Sequence, residues 1–136
     1  MGIKFMKIAT VYFLIGIFMG MFMSITHQFQ FAPSHAHINL LGWASLALAG
    51  VFYHLFPQMG ESKLGKWHFW LHNLGLPVMM IGLVVLEMGN PAVEPVIAIG
   101  ATVLSIGIIL FTVNVLKNMK NAVSRNSSSQ KDQYNA

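Results

Sequence analysis

Two histidines, His35 and His37, stand at the start of an apolar stretch that runs from Ile38 to Phe56. Ionisable side chains at membrane depth are rare and usually functional. An α-helix turns by about 100° per residue, so two rings two positions apart leave it on nearly opposite faces. Imidazole is a common ligand of haem iron, copper and zinc. The pair therefore predicts a helix that offers one nitrogen ligand to each of two neighbouring sites.

The two faces of this predicted helix differ in character. Small residues dominate the face that begins at His35, and they would let a flat ligand or another helix approach closely. The face that begins at His37 is apolar and could clamp a hydrophobic ring. Asn39 lies one turn below His35, within reach of a group bound beside it. We select as candidate cofactor-binding residues His35, His37, Asn39 and Trp43.

The remaining histidines extend the set of candidate metal ligands. In addition to His35 and His37, both His27 and His72 are candidate ligands of a metal ion. Each histidine also has a simpler interpretation. The pair, like His27, His54 and His68, could be interfacial and in contact with headgroup water, and His72 could hydrogen-bond a neighbouring helix.

Composition indicates an integral membrane protein. The chain has 136 residues, of which 55% are hydrophobic and 9% charged, against about 25% charged in soluble domains. A span needs about 20 apolar residues, and four stretches qualify. The expected fold is all-α, a four-helix transmembrane bundle over residues 1–120. The predicted spans run from Ile8 to Thr26, His35 to Phe56, Trp67 to Leu86 and Val96 to Leu116.

Charge placement predicts the topology. All eight Lys and Arg residues lie outside the predicted spans, in three segments that four spans place on one side of the membrane. By the positive-inside rule both termini are cytoplasmic, which in a bacterium means insertion in the inner membrane. This distribution also argues against nucleic acid as a partner. The chain has no cysteine, which excludes disulfides and iron–sulfur clusters. Residues 121–136, rich in Asn, Ser and Gln, are expected to form a disordered cytoplasmic tail near lipid.

Two segments carry a family resemblance. The run HAHINLLGWASLALAGVFYHLFPQMG, from His35 to Gly60, resembles the tenth of twelve helices in the catalytic subunit of haem-copper oxidases. That helix opens with a His-x-His pair, carries small residues and ends in a turn like the one at residues 54–57 here. The run KWHFWLHNLGLPVMM, from Lys66 to Met80, is similar to the helix that follows it.

The resemblance implies a role for each histidine. In that family the first histidine of the pair ligates the high-spin haem, and the second ligates the low-spin haem; these match His35 and His37. The catalytic subunit consists of three similar four-helix arcs, so a four-helix chain could form the ring as a homotrimer. The resemblance then implies a b-type haem with two histidine ligands, in which His37 of one subunit and His35 of the next meet at an interface.

The sequence leaves several functions open. The first is a haem-binding membrane protein for electron transfer or for binding NO or O2, with a quinol or respiratory redox partner near His54, His68 and His72. The second is a copper- or zinc-binding protein that uses the outer histidines His27, His35 and His37. The third is a cofactor-free accessory subunit of an oxidase. The copper-site histidines and the cross-linked tyrosine of the family are missing, so oxygen reduction by this chain alone is not expected. The predicted outer loops also lack any Lys or Arg to pair with haem propionates.

Overall fold

The computed structural model describes residues 1–134, with side chains described for residues 1–121, 123, 124, 127 and 128. The described residues contain helices and no strand. Four helical regions are long and apolar enough to cross a membrane, which confirms the predicted all-α fold with four spans. We call them spans 1 to 4, and they run over Gly2–Thr26, Phe29–Leu55, Lys63–Glu87 and Pro91–Asn121.

Span 2 is the least regular of the four. Span 1 is the single helix α1 (Gly2–Thr26), whereas span 2 contains a short helix α2 (Ala32–His37), a π-helical segment (Ile38–Ala44) and a third helix, α3 (Ser45–Leu55). Helix α4 (Pro57–Glu61) connects it to α5 (Lys63–Glu87), which is span 3. The last helix, α6, covers Glu94–Tyr134 and contains most of span 4.

Prolines and polar caps set the helix boundaries. Pro33 lies in the first turn of α2 and Pro57 begins α4, positions where a missing N–H costs nothing. Ser62 caps α5 by accepting a hydrogen bond from the Gly65 N–H at 3.0 Å. Pro77 lies inside α5, as membrane helices tolerate. The two ends of the bundle are named from these connections: the inner end contains α4 and the outer end contains residues 27–34 and 88–93.

Glycines allow the spans to pack closely in pairs. A Cβ at Gly75 of α5 would lie 2.5 Å from the Leu104 backbone nitrogen of α6, so spans 3 and 4 touch through their backbones. A Cβ at Gly42 of span 2 would lie 2.6 Å from the Tyr12 ring of α1. Such contacts replace the hydrophobic driving force that lipid does not supply. The buried core includes Phe5, Leu46, Tyr53, Met59 and Leu76.

Two expectations about the chain stay predictions. The direction of insertion, with both termini cytoplasmic, concerns a membrane that the structure does not contain. The disordered tail predicted for residues 121–136 is likewise untested: α6 continues as helix to Tyr134, and residues 135 and 136 lie outside the described residues.

Candidate functional site

His37 leaves α2 on its exposed side. Its Nδ1 lies 2.8 Å from the Pro33 backbone oxygen, one turn earlier in the same helix. A carbonyl oxygen only accepts, so Nδ1 carries a proton, and in the neutral ring Nε2 then keeps its lone pair. Histidines that ligate metals are oriented in this way: one ring nitrogen donates to a carbonyl or carboxylate, and the other nitrogen binds the metal. The Nε2 side of the His37 ring therefore lies at the surface of the bundle, and its role as a ligand stays a prediction.

His35 leaves the helix toward α1. It is half-buried, and a Cβ at Gly20 would lie 3.0 Å from its Cε1. The Asn39 amide nitrogen donates to the His35 backbone oxygen at 2.8 Å and lies 3.4 Å from its Nδ1. Asn39 in turn packs on Gly16. Of the two uses predicted for the small-residue face, the structure shows the approach of another helix, since α1 occupies this face.

The other selected residues are dispersed around the outer half. Trp43 packs on Phe13 of α1, with ring centroids 4.6 Å apart, so its ring is part of the contact between spans 1 and 2. His27 is exposed and ends α1 in the left-handed conformation, with φ 58°. Among the described residues no three His, Asp or Glu side chains converge as a metal site. The outer histidines therefore do not form a chelate within one subunit.

The helix that carries the pair is held from span 3. The Ser34 backbone N–H and its hydroxyl donate to the two carboxylate oxygens of Glu87, at 3.0 and 2.5 Å. Ser34 is fully buried. A carboxylate at the N-terminus of a helix also satisfies orphan N–H groups and complements the helix dipole. Glu87 thus fixes the first turn of α2, one residue before His35.

The inner half of the bundle contains a chain of hydrogen-bonded histidines. The Tyr53 hydroxyl lies 2.9 Å from His68 Nδ1, and His68 Nε2 lies 3.2 Å from His72 Nδ1. His72 Nε2 lies 3.0 Å from the Leu41 backbone oxygen of span 2. Tyr53, His68 and His72 are each 1% exposed. The expectation that His68 is interfacial is wrong, because a tyrosine on span 2 gives its ring a partner inside the bundle.

The donor and the acceptor of every hydrogen bond in this series follow by elimination. Leu41 O can only accept, so His72 Nε2 donates and a neutral His72 has Nδ1 as its acceptor. His68 must then donate from Nε2 and accept at Nδ1, and Tyr53 donates to it. All four ring nitrogens are therefore occupied, and His72 has no free lone pair for a metal. The simpler interpretation of His72, that it hydrogen-bonds a neighbouring helix, is the one that the structure shows. The quinol partner expected near these histidines stays a prediction.

Part of this arrangement was readable from sequence and part was not. His68 and His72 are four residues apart and so share one face of a helix, which is a signal that could have grouped them. Nothing in the sequence marks Leu41, because its contribution is a backbone carbonyl. The Glu87 contact with Ser34 joins residues 53 positions apart and also leaves no local pattern.

Comparison with curated proteins tests the family resemblance. The chain is 33% identical over 106 residues to cytochrome c oxidase subunit 1 of Thermostichus vulcanus, a match that covers 66% of this chain and 19% of that protein. It is 31% identical over 88 residues to a cytochrome c oxidase subunit 1 homolog of Agrobacterium tumefaciens, covering 56% and 16%. The resemblance to haem-copper oxidase subunit I is confirmed.

The chain matches only a small part of each of these relatives. It is 28% identical over 85 residues to the Cbb3-type cytochrome c oxidase subunit CcoN1 of Stutzerimonas stutzeri, covering 54% of the chain and 18% of that protein. The matched part thus spans less than a fifth of the length of these relatives. No family model matches the sequence. No solved structure matches it either.

Proposed function

We propose that this subunit I-like chain binds a b-type haem at its outer end and serves one-electron transfer or the binding of NO or O2. The observation that carries the proposal is the state of His37. Its ring is exposed, its Nδ1 is held by Pro33 O at 2.8 Å, and its Nε2 lone pair is free. The proteins that the chain resembles over part of its length are cytochrome c oxidase subunits, and haem iron is commonly held by an imidazole nitrogen.

The two histidines would act in different subunits. His37 faces away from the bundle, whereas His35 lies against Gly20 of α1, so the two cannot approach one iron from the same chain. In a closed ring of identical subunits every interface repeats. We place His37 of one subunit opposite His35 of the next, and a trimer completes the ring. A haem with two histidine ligands is saturated and transfers one electron, while loss of one ligand would leave a position for a gas.

The propionates impose a restriction on this site. Asn39 already donates to His35 O, and both carboxylate oxygens of Glu87 accept from Ser34. Exposed Gln28 and Gln30 remain as polar side chains near the outer end. A carboxylate without a charged partner is stable only where it reaches water. The haem would therefore lie with its propionates at the outer surface, beside residues 28–30.

An absorption spectrum tests the proposal. Purified protein should show a Soret band, and its reduced-minus-oxidised spectrum should show the α-band of a b-type haem. His37→Ala should lose the haem, while His54→Ala, which removes an exposed histidine at the inner end, should keep it. A protein without a Soret band, or one whose spectrum survives His35→Ala and His37→Ala together, would overturn the proposal. Metal analysis of the same sample would then separate a copper or zinc protein from a cofactor-free subunit.

Mixed oligomers test whether the ligands come from two subunits. We expect His35→Ala and His37→Ala each to lose the two-histidine spectrum when expressed alone. Expressed together, an interface that joins the intact His37 of the first variant to the intact His35 of the second is complete, and random mixing gives this at about a quarter of interfaces. Recovery of the spectrum in the mixture supports the shared site. No recovery in a verified mixed oligomer would contradict the shared site.

A further inference from the structure

The backbone of span 2 departs from α-helical geometry just beyond the histidine pair. Over Ile38–Ala44 it is π-helical, and the Ser45 N–H donates to Leu40 O, five residues back rather than four. At Ser45 the α-helix resumes as α3. A π-segment is rare in proteins and is frequently found at functional sites. Its cost has to be offset by contacts that a regular helix would not make.

The burial pattern shows what the π-segment achieves. Buried positions recur every four residues at Ser34, Ile38, Gly42 and Leu46. In a regular α-helix twelve residues amount to about 1200°, which would turn Ser34 roughly a third of a turn away from the face of Leu46. The slower winding of the π-segment lets Ser34 meet Glu87 while Leu46 stays in the core. The direction in which His35 and His37 leave α2 depends on the same winding.

One side chain from another span meets the carbonyl that the change of winding exposes. Where bonding over five residues gives way to bonding over four, one carbonyl lacks a donor in its own helix. Leu40 O is satisfied by Ser45, through its backbone N–H and through its hydroxyl at 2.7 Å. The next carbonyl, Leu41 O, accepts from His72 Nε2 at 3.0 Å. An unpaired carbonyl at this depth would be costly, because lipid supplies no hydrogen-bond donor in its place.

We propose that His72 is a positioning residue for the histidine pair: its bond to Leu41 O holds the π-segment and thereby sets the direction of His35 and His37. The bond is directional because a carbonyl oxygen can only accept, so His72 Nε2 must donate, and the other ring nitrogen, Nδ1, accepts from His68 Nε2 at 3.2 Å. The proposed function gives this positioning its use, but the geometric effect is measurable without haem.

Cysteine labelling tests the geometry directly, because the chain has no cysteine of its own. Ile38 is buried, and both of its neighbours, His37 and Asn39, are more exposed than it is. Leu40 is exposed, and both of its neighbours, Asn39 and Leu41, are less exposed. Relaxation of the π-segment to α-helix would turn α2 by about one residue. It would therefore expose position 38 and cover position 40, whichever way the helix turns.

In the otherwise unchanged protein we expect Leu40→Cys to react faster than Ile38→Cys with N-ethylmaleimide in detergent. His72→Leu should reverse or abolish this order, and His72→Gln, whose amide N–H can still donate, should restore it. Tyr53→Phe is the matched control, since it breaks the far end of the hydrogen-bonded chain and leaves the Leu41 bond. An unchanged order in folded His72→Leu, or the same loss in Tyr53→Phe, would overturn the proposal.

A second measurement covers the case in which His72→Leu does not fold. Solid-state NMR of the unsubstituted protein should show a protonated His72 Nε2 close to the Leu41 carbonyl carbon, and an unprotonated Nε2 would overturn the proposal. If the protein binds haem, His72→Leu should also weaken haem retention while Tyr53→Phe does not. A protein without haem that keeps the labelling result would refute the proposed function and leave the positioning role standing.

Discussion

The outer and inner halves of the bundle hold their histidines in opposite ways. At the outer end His37 is exposed, with one ring nitrogen bonded within its own helix and the other free. In the inner half His68 and His72 are 1% exposed and all four of their ring nitrogens have partners. A free lone pair, rather than the number of histidines, therefore distinguishes a candidate ligand from a group that joins helices.

The same contrast extends to the uncharged polar groups. Near the inner end Asn114 is fully buried, donates to Met59 O at 2.9 Å and accepts from Asn118 at 2.8 Å. At the outer end Gln28 and Gln30 are exposed and lie 3.5 Å apart, at the limit of a hydrogen bond. Satisfied buried networks rigidify the structure around them. The inner half is thus built as a scaffold, whereas the outer end keeps polar groups available.

Removal of a ring from the hydrogen-bonded series of Tyr53, His68 and His72 should have the largest effect on stability. His68→Ala leaves a cavity and strips the Tyr53 hydroxyl and His72 Nδ1 of their partner, so we expect the free energy of unfolding to fall by about 3–5 kcal/mol. His37→Ala removes an exposed ring and should change it by less than about 0.5 kcal/mol. Reversible unfolding by sodium dodecyl sulfate in mixed micelles measures both.

The inner-end variant His54→Ala serves as the control, since it removes an exposed histidine from the same half as His68. It should behave like His37→Ala. If His37→Ala instead lowered stability as much as His68→Ala does, the outer histidine would be structural, and the distinction between the two halves would be lost.

Loss of one hydroxyl from the inner chain should have an intermediate effect. Tyr53→Phe keeps the ring packed against Phe5 and Phe111, whose centroids lie 5.4 and 5.8 Å away, and removes the hydroxyl that donates to His68 Nδ1. An unsatisfied buried acceptor costs about 1–3 kcal/mol. The same unfolding titration should therefore place Tyr53→Phe between His68→Ala and the exposed-histidine variants; a change as small as that of His54→Ala would mean that the chain does not stabilise the bundle.

The sequence predicted the four spans because each is a long apolar run, and it predicted the opposite directions of His35 and His37 because helical rotation alone determines them. It failed for His68, which follows Lys66 closely enough to suggest an interfacial position, while its partner Tyr53 lies on another span. The π-segment was also missed: a four-residue spacing of buried positions resembles α-helical periodicity, and the carbonyl of Leu41 has no sequence signature.

A loss smaller than that of Tyr53→Phe, though larger than that of the exposed-histidine variants, should come from Glu87, the carboxylate that holds Ser34 at the outer end. Glu87→Gln keeps one oxygen as acceptor for the Ser34 N–H and turns the second contact into an amide that the Ser34 hydroxyl can accept from, so the charge and the acceptor of the hydroxyl proton are lost while both contacts remain. We expect a loss of about 0.5–1 kcal/mol in the unfolding titration, against no measurable change for Glu61→Gln, an exposed glutamate at the inner end. A loss as large as that of His68→Ala would show that the outer end depends on the charge of half-buried Glu87 as strongly as the inner half depends on its histidines, and the two halves would then differ in chemistry but not in rigidity.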